Sequence, residues 1–156
     1  SLLTGATIGL PNYAAEGYKA AGGRMSVGLS PAASKVEHVM KYRLPTEAYD
    51  TILYTGLHYI GRDTLLITSA DGVISIGGRL GTLHEFTIAM ESETPIAFLQ
   101  GAGGVSTEIE GLLALSKPLR NADAVMFGDS SEKLITQLTK FLDKENAKYK
   151  HIYKTK

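Results

Sequence analysis

Short apolar runs alternate along this chain with longer stretches whose apolar residues recur every three or four positions. The runs are Leu2-Leu3, then Met25, Val27 and Leu29 alternating with Ser26, Gly28 and Ser30, then Ile52 to Tyr54, Val73 to Ile76, Ile96 to Leu99 and Ala124 to Phe127. Glycine, proline or small polar residues bound each of them, which is the signature of strands. Helical spacing predicts a helix over Asn12 to Ala21 that follows Pro11 and stops at Gly22-Gly23, and another from about Leu57 to Ser69. A third carries Leu83, Phe86 and Met90 as its inward stripe, and a fourth runs from about Ser106 to Leu115. In the last, Leu134, Ile135, Leu138, Phe141 and Leu142 form the apolar face, and Asp129 with Glu132 predicts a capping box at its start. Between Ala32 and Thr46 the signals are mixed, with a short helix around Ser34 to Lys41 and a break at Pro45.

Strands separated by helices predict an α/β fold with a mostly parallel sheet covered on both faces. In such sheets ligands gather at the carboxyl ends of the strands. Four turns follow strands and open on that edge: Thr4 to Gly9, Thr55-Gly56, Gly77 to Thr82 and Gly101 to Gly104. The chain opens on an apolar pair and a small-residue turn without an initiator Met, which predicts that a preceding strand-helix unit is missing.

The stretch Gly72 to Glu85, GVISIGGRLGTLHE, concentrates the candidate chemistry. A strand, a glycine turn (Gly77, Gly78, Gly81) and the first turn of a helix present backbone amides that suit a phosphate, and glycines admit the anion closely. Glu85, one helical turn on, would repel a phosphate unless aimed at a sugar or a water. On spacing alone Arg62 and Glu85 make a structural ion pair between two helices.

The chain's 156 residues fit one domain, read as 1–142, followed by a basic tail, 143–156, with Lys144, Lys148, Lys150, Lys154 and Lys156. Sixteen basic and sixteen acidic residues cancel, so the electrostatic field on which nucleic-acid and anionic-membrane binders rely is missing. No apolar run reaches the roughly 20 residues of a membrane span, and absent cysteine fits a reducing interior. A cytoplasmic protein is expected. His38, His58, His84 and His151 are scattered without ligand spacing, so no metal site is expected.

The segment from Gly78 through Gly81, Thr82 and Glu85 resembles the Gly-Gly-x-Gly-Thr-x-x-Glu pattern of the Lonely Guy (LOG) superfamily, long labelled "possible lysine decarboxylase". Arg62 stands at the spacing of that family's site arginine, and Thr4-Gly5-Ala6-Thr7-Ile8-Gly9-Leu10 resembles its first loop. Thr55-Gly56-Leu57 through Arg62-Asp63, with Ser69-Ala70-Asp71, is more similar to the molybdenum-cofactor-carrier-like branch. The resemblance implies a Rossmann-like three-layer sandwich, a homodimer and a nucleotide ligand. It also implies hydrolysis of a nucleoside 5′-monophosphate to free base and ribose 5-phosphate, with a non-catalytic nucleotide or molybdenum-cofactor-type carrier or sensor as the alternative. Glu85 and Arg62 would be catalytic, Arg62 holding the phosphate or base and fixing Glu85. Gly77, Gly78, Arg79, Gly81 and Thr82 would bind the phosphate, and Thr4, Gly5, Thr55 and Gly56 would line the rest of the pocket. No cofactor is expected, because no lysine stands in a recognisable pyridoxal-phosphate site. Arg79 replaces a family glycine and either adds a phosphate contact or fills the turn. Thr4 and Ala6 stand for glycines of the first loop. Asp63 and Gly61 stand where plant-type enzymes carry a lysine and a glutamate.

Overall fold

The computed structural model describes residues 1–115, 122–150 and 152. His151, Lys154 and Lys156 lie outside them. The chain forms two compact units, Ser1–Ser69 and Ala70–Lys156, and among the described residues every strand pairing is parallel.

In the first unit β1 (Leu2–Thr4), β2 (Ser26–Ser30) and β3 (Thr51–Tyr54) lie side by side in that order. Helix α1 (Leu10–Ala20) begins with Pro11 in its first turn, and α2 (His58–Thr68) follows β3. The alternation read in β2 does not translate into one buried face. Leu29 is buried, but so are Ser26, Gly28 and Ser30, while Met25 is exposed. A central strand has both faces covered, and the two serines satisfy their hydroxyls locally. Ser26 Oγ donates to the Ala48 carbonyl at 2.6 Å, and Ser30 Oγ bonds His38 Nδ1 at 2.8 Å.

The expected helix near Ser34 to Lys41 is present, and its second half, Glu37–Lys41, is π-helical, with Tyr42 N–H reaching back to the Glu37 carbonyl. His38 explains the widening. Its ring is fully buried, and Nε2 lies 3.0 Å from the Pro45 carbonyl. A carbonyl only accepts, so Nε2 carries a proton and donates it to Pro45. This histidine pins the turn to β2.

The second unit repeats the arrangement with β4 (Val73–Ile76), β5 (Ile96–Leu99) and β6 (Val125–Gly128), β5 in the middle. Ile96, Ala97 and Phe98 are buried; Phe98 meets Phe86 edge-on at 5.8 Å and stacks on Phe127 at 5.7 Å. Helix α3 (Leu80–Glu91) buries Phe86 and Ala89, with Leu83 and Met90 half-buried. Of these, the large buried side chains Ile96, Phe98 and Phe86 each contribute about 1.5–3 kcal/mol.

Three local expectations need correction. The helix expected from Ser106 starts as a 3-10 turn, Gly104–Thr107, and becomes α-helical only as α4 (Ile109–Leu115). Glu108 N–H donates to the Val105 carbonyl at 3.0 Å, an i to i+3 bond that keeps this first turn tighter than an α-helix. The cap of α5 (Ser131–Ala147) is Ser130, whose side chain accepts from Lys133 N–H at 3.3 Å, whereas Asp129 pairs with the Lys133 ammonium at 3.2 Å. Finally, Ile135 is 55% exposed although it fits the apolar spacing, because α5 buries the Leu134–Leu138 line. The helix continues to Ala147, through the first part of the basic segment.

Candidate ligand-binding site

The β4–α3 turn of the second unit is built by two glycine loops pressed together. Gly77 and Gly78 take φ of +63° and +94°, values that favour glycine. A methyl on Gly78 would overlap the Thr82 side chain, so glycine there lets Thr82 fold back over the turn. The second loop comes from β5: Val105 N–H donates to the Gly78 carbonyl at 3.0 Å, and the buried Ser106 hydroxyl donates to the Gly77 carbonyl. Both turn carbonyls are thereby engaged. An anion at the turn meets amides instead of unpaired oxygens.

The first intrahelical bond of α3 runs from Leu83 N–H to the Arg79 carbonyl at 3.2 Å. The N–H groups of Leu80, Gly81 and Thr82 precede it, and no side chain caps them. These amides and the helix dipole are suited to a phosphate. Arg79 sits extended and exposed at the cap position, and Gly81 has open space where a methyl would stand. Thr82 and Glu85, both half-buried, come one helical turn apart. The turn residues and Glu85 are thus brought together within one unit.

The other candidates lie in the first unit. Arg62 is 6% exposed, its Nη2 is 3.1 Å from Asp63 Oδ1, and its guanidinium packs on the main chain of Gly5, where a methyl would overlap it. The ring of Tyr59 faces it at 5.9 Å. Among the described residues, Arg62 Nε is buried and without a hydrogen-bond partner. Asp63, a departure from the plant-type pattern, therefore serves the arginine directly. Thr4 is buried, with its hydroxyl 3.0 Å from Tyr49 Oη and accepting from Ala6 N–H at 3.2 Å. Burial pushes the Tyr49 phenol above its ordinary range, so it stays protonated. Thr55 Oγ1 donates to the Ser30 carbonyl at 2.7 Å, and Gly56, at φ +68°, donates to the Ala32 carbonyl. Thr4 and Thr55 thus shape their loops with the same hydroxyls that would meet a ligand.

Two features escaped the sequence. Ser106 reads there as a helix start, and nothing in its spacing from Gly77 announces the bond between them. His58 adopts φ +55° at the start of α2 and bonds the Tyr42 hydroxyl at 2.9 Å, a pairing across a segment whose periodicity is weak. Among the described residues no helix is long and apolar enough to cross a membrane, and no group of three or more His, Asp or Glu could hold a metal ion.

Two solved structures are similar to the chain. One is TM1055, a structural-genomics target, with 26% identity over 88% of this chain and 76% of that one, and a TM-score of 0.74. The other is the molybdenum cofactor binding protein of the phototrophic bacterium Rippkaea orientalis, with 27% identity over 90% of this chain and 77% of that one, and a TM-score of 0.73. No curated protein matches the sequence. Residues 1–135 match the SLOG cluster4 family, and with the parallel α/β architecture and the glycine turn in place, the chain belongs to that family of LOG-like proteins.

Proposed function

We propose that this chain binds a nucleoside 5′-monophosphate by its phosphate at the β4–α3 turn and hydrolyses the N-glycosidic bond. The observation that carries this reading is the uncapped start of α3, with Leu80, Gly81 and Thr82 amides behind a turn whose two carbonyls are engaged, and Glu85 one turn along. Cleavage of the C1′–N bond builds positive charge on the sugar, which a carboxylate stabilises. Water supplies a hydroxide to C1′ and a proton to the departing base nitrogen. Glu85 is the group for the charge and the water. The reading rests on the second unit alone.

A second reading, a carrier or sensor that binds without chemistry, is supported by Arg79 at the cap position and by the likeness to a protein named for binding molybdenum cofactor. A guanidinium there adds a permanent charge to the phosphate site, which favours retention over release of product. The test is a panel of nucleoside monophosphates assayed for ribose 5-phosphate, with Glu85→Gln as control. Release that disappears in Glu85→Gln supports the hydrolase. Nucleotide bound by both proteins with no release supports the carrier.

A further inference from the structure

A cavity of about 220 Å³ opens at the carboxyl ends of β5 and β6, lined by Leu99, Gln100, Gly101, Ser106, Thr107, Glu110 and Phe127. Whole-ligand pockets run from roughly 300 to 1,000 Å³. This one is sized for a single ring system. Leu99 and Phe127 supply its apolar wall, both half-buried. Its hydroxyls have already committed their protons: Ser106 Oγ donates to the Gly77 carbonyl and Thr107 Oγ1 to the Gly104 carbonyl at 2.8 Å. Side-chain donors and a charge come from Gln100 and Glu110, which hold each other through Nε2 and Oε1 at 3.2 Å. That bond uses one of the two amide N–H groups and one lone pair of Oε1, so both carboxylate oxygens can still accept.

A carboxylate only accepts, and a primary amide beside it offers a donor. We propose that this cavity binds the 2-amino-4-oxopyrimidine edge shared by guanine and pterins. That edge presents an amino group and a ring N–H side by side, which a carboxylate takes as two parallel charge-assisted bonds. Its carbonyl follows next and accepts from the Gln100 amide. The 6-amino edge of adenine puts a ring nitrogen lone pair where the ring N–H should be, so Glu110 repels it. Ser106 joins the cavity to the phosphate turn, lining the one and bonding the Gly77 carbonyl of the other. The proposal deepens the nucleotide reading and depends on it only for the ligand's phosphate.

The test titrates the protein calorimetrically with guanosine, adenosine, a soluble pterin and ribose 5-phosphate, and repeats each with Glu110→Gln and Gln100→Glu. Both positions are exposed, so neither variant should disturb folding, which a melting curve checks. A matched bidentate edge discriminates by about tenfold. Guanosine, pterin or both should bind at least about tenfold tighter than adenosine, and both variants should erase that preference without changing ribose 5-phosphate binding. Guanosine over pterin names a nucleotide source; pterin over guanosine names a pterin cofactor. No preference over adenosine, or a preference that survives Glu110→Gln, overturns the proposal. Ribose 5-phosphate reports on the phosphate turn separately, so its failure to bind counts against the nucleotide reading and leaves a Glu110-dependent guanosine signal standing.

Discussion

Gly81→Ala separates what the protein needs in order to fold from what it needs in order to bind. Gly81 is the second residue of α3, and a methyl there meets nothing within 4 Å. Alanine replaces glycine in helices with a gain of up to about 1 kcal/mol, chiefly from the entropy of the unfolded chain. Near the first turn the gain falls toward about 0.4 kcal/mol, since less of the residue's freedom is lost there. For a chain of this size 1 kcal/mol moves the melting midpoint by about 2–4 °C, so the variant should melt about 1–4 °C higher. The same methyl stands beside the Leu80, Gly81 and Thr82 amides. A phosphate bound there would be pushed back by more than a hydrogen bond's tolerance. Losing one charge-assisted bond costs about 1.5–3 kcal/mol, which is roughly tenfold to a hundredfold in affinity. Thermal melting reads the first effect and calorimetric titration with ribose 5-phosphate the second. A variant that melts higher and binds ribose 5-phosphate as tightly as the parent refutes the placement of the phosphate.

Three other perturbations test the structure around the site. In Gly104→Ala the new methyl would overlap the Gly78 main chain and the φ of +68° would be strained, whereas Gly101→Ala, at φ +78°, meets open space; Gly104→Ala should therefore lose about 1–3 kcal/mol more in urea unfolding than Gly101→Ala, and equal losses would show that the two glycine loops are not in contact. Gly5→Ala drives a methyl into the Arg62 guanidinium and should cost about 1–3 kcal/mol by urea unfolding, with an unchanged midpoint placing Arg62 elsewhere. Asp50 has its pKa lowered, first by its bond to Lys19 and then by Ser26 N–H. A carboxyl with a depressed folded pKa stabilises the protein above its unfolded value, about 3.9, and loses that contribution as pH falls through the folded pKa. Asp50→Asn should thus be less stable at neutral pH, with the difference from the parent closing below about pH 4; a difference that persists into acid contradicts the charge pairing.

How far the sequence could be read depended on whether a feature was set by neighbours along the chain or across it. Strands and helices were legible because their periodicity is local, and the β4–α3 turn was legible because Gly77, Gly78, Gly81 and Thr82 stand within a few residues of one another. Asp129 and Ser130 are both competent caps, so the sequence leaves the choice open by one position; Ser130 takes the Lys133 N–H and Asp129 is left to pair with the Lys133 ammonium. In β2 the alternation marked a strand but not what its serines meet: Ser30 is buried because His38, eight residues on, bonds its hydroxyl from a π-helical turn. Read as a scattered histidine, His38 carried no such message. The same logic governs the site. Glycines announce that main chain must come close to something, but not to what. Gly104 shows the difference, since its neighbour is the Gly78 backbone, and Gly81 shows the converse, with nothing among the described residues within 4 Å of where a methyl would stand. A glycine that packing does not require, placed among uncapped amides, is the residue at which binding rather than folding accounts for the sequence.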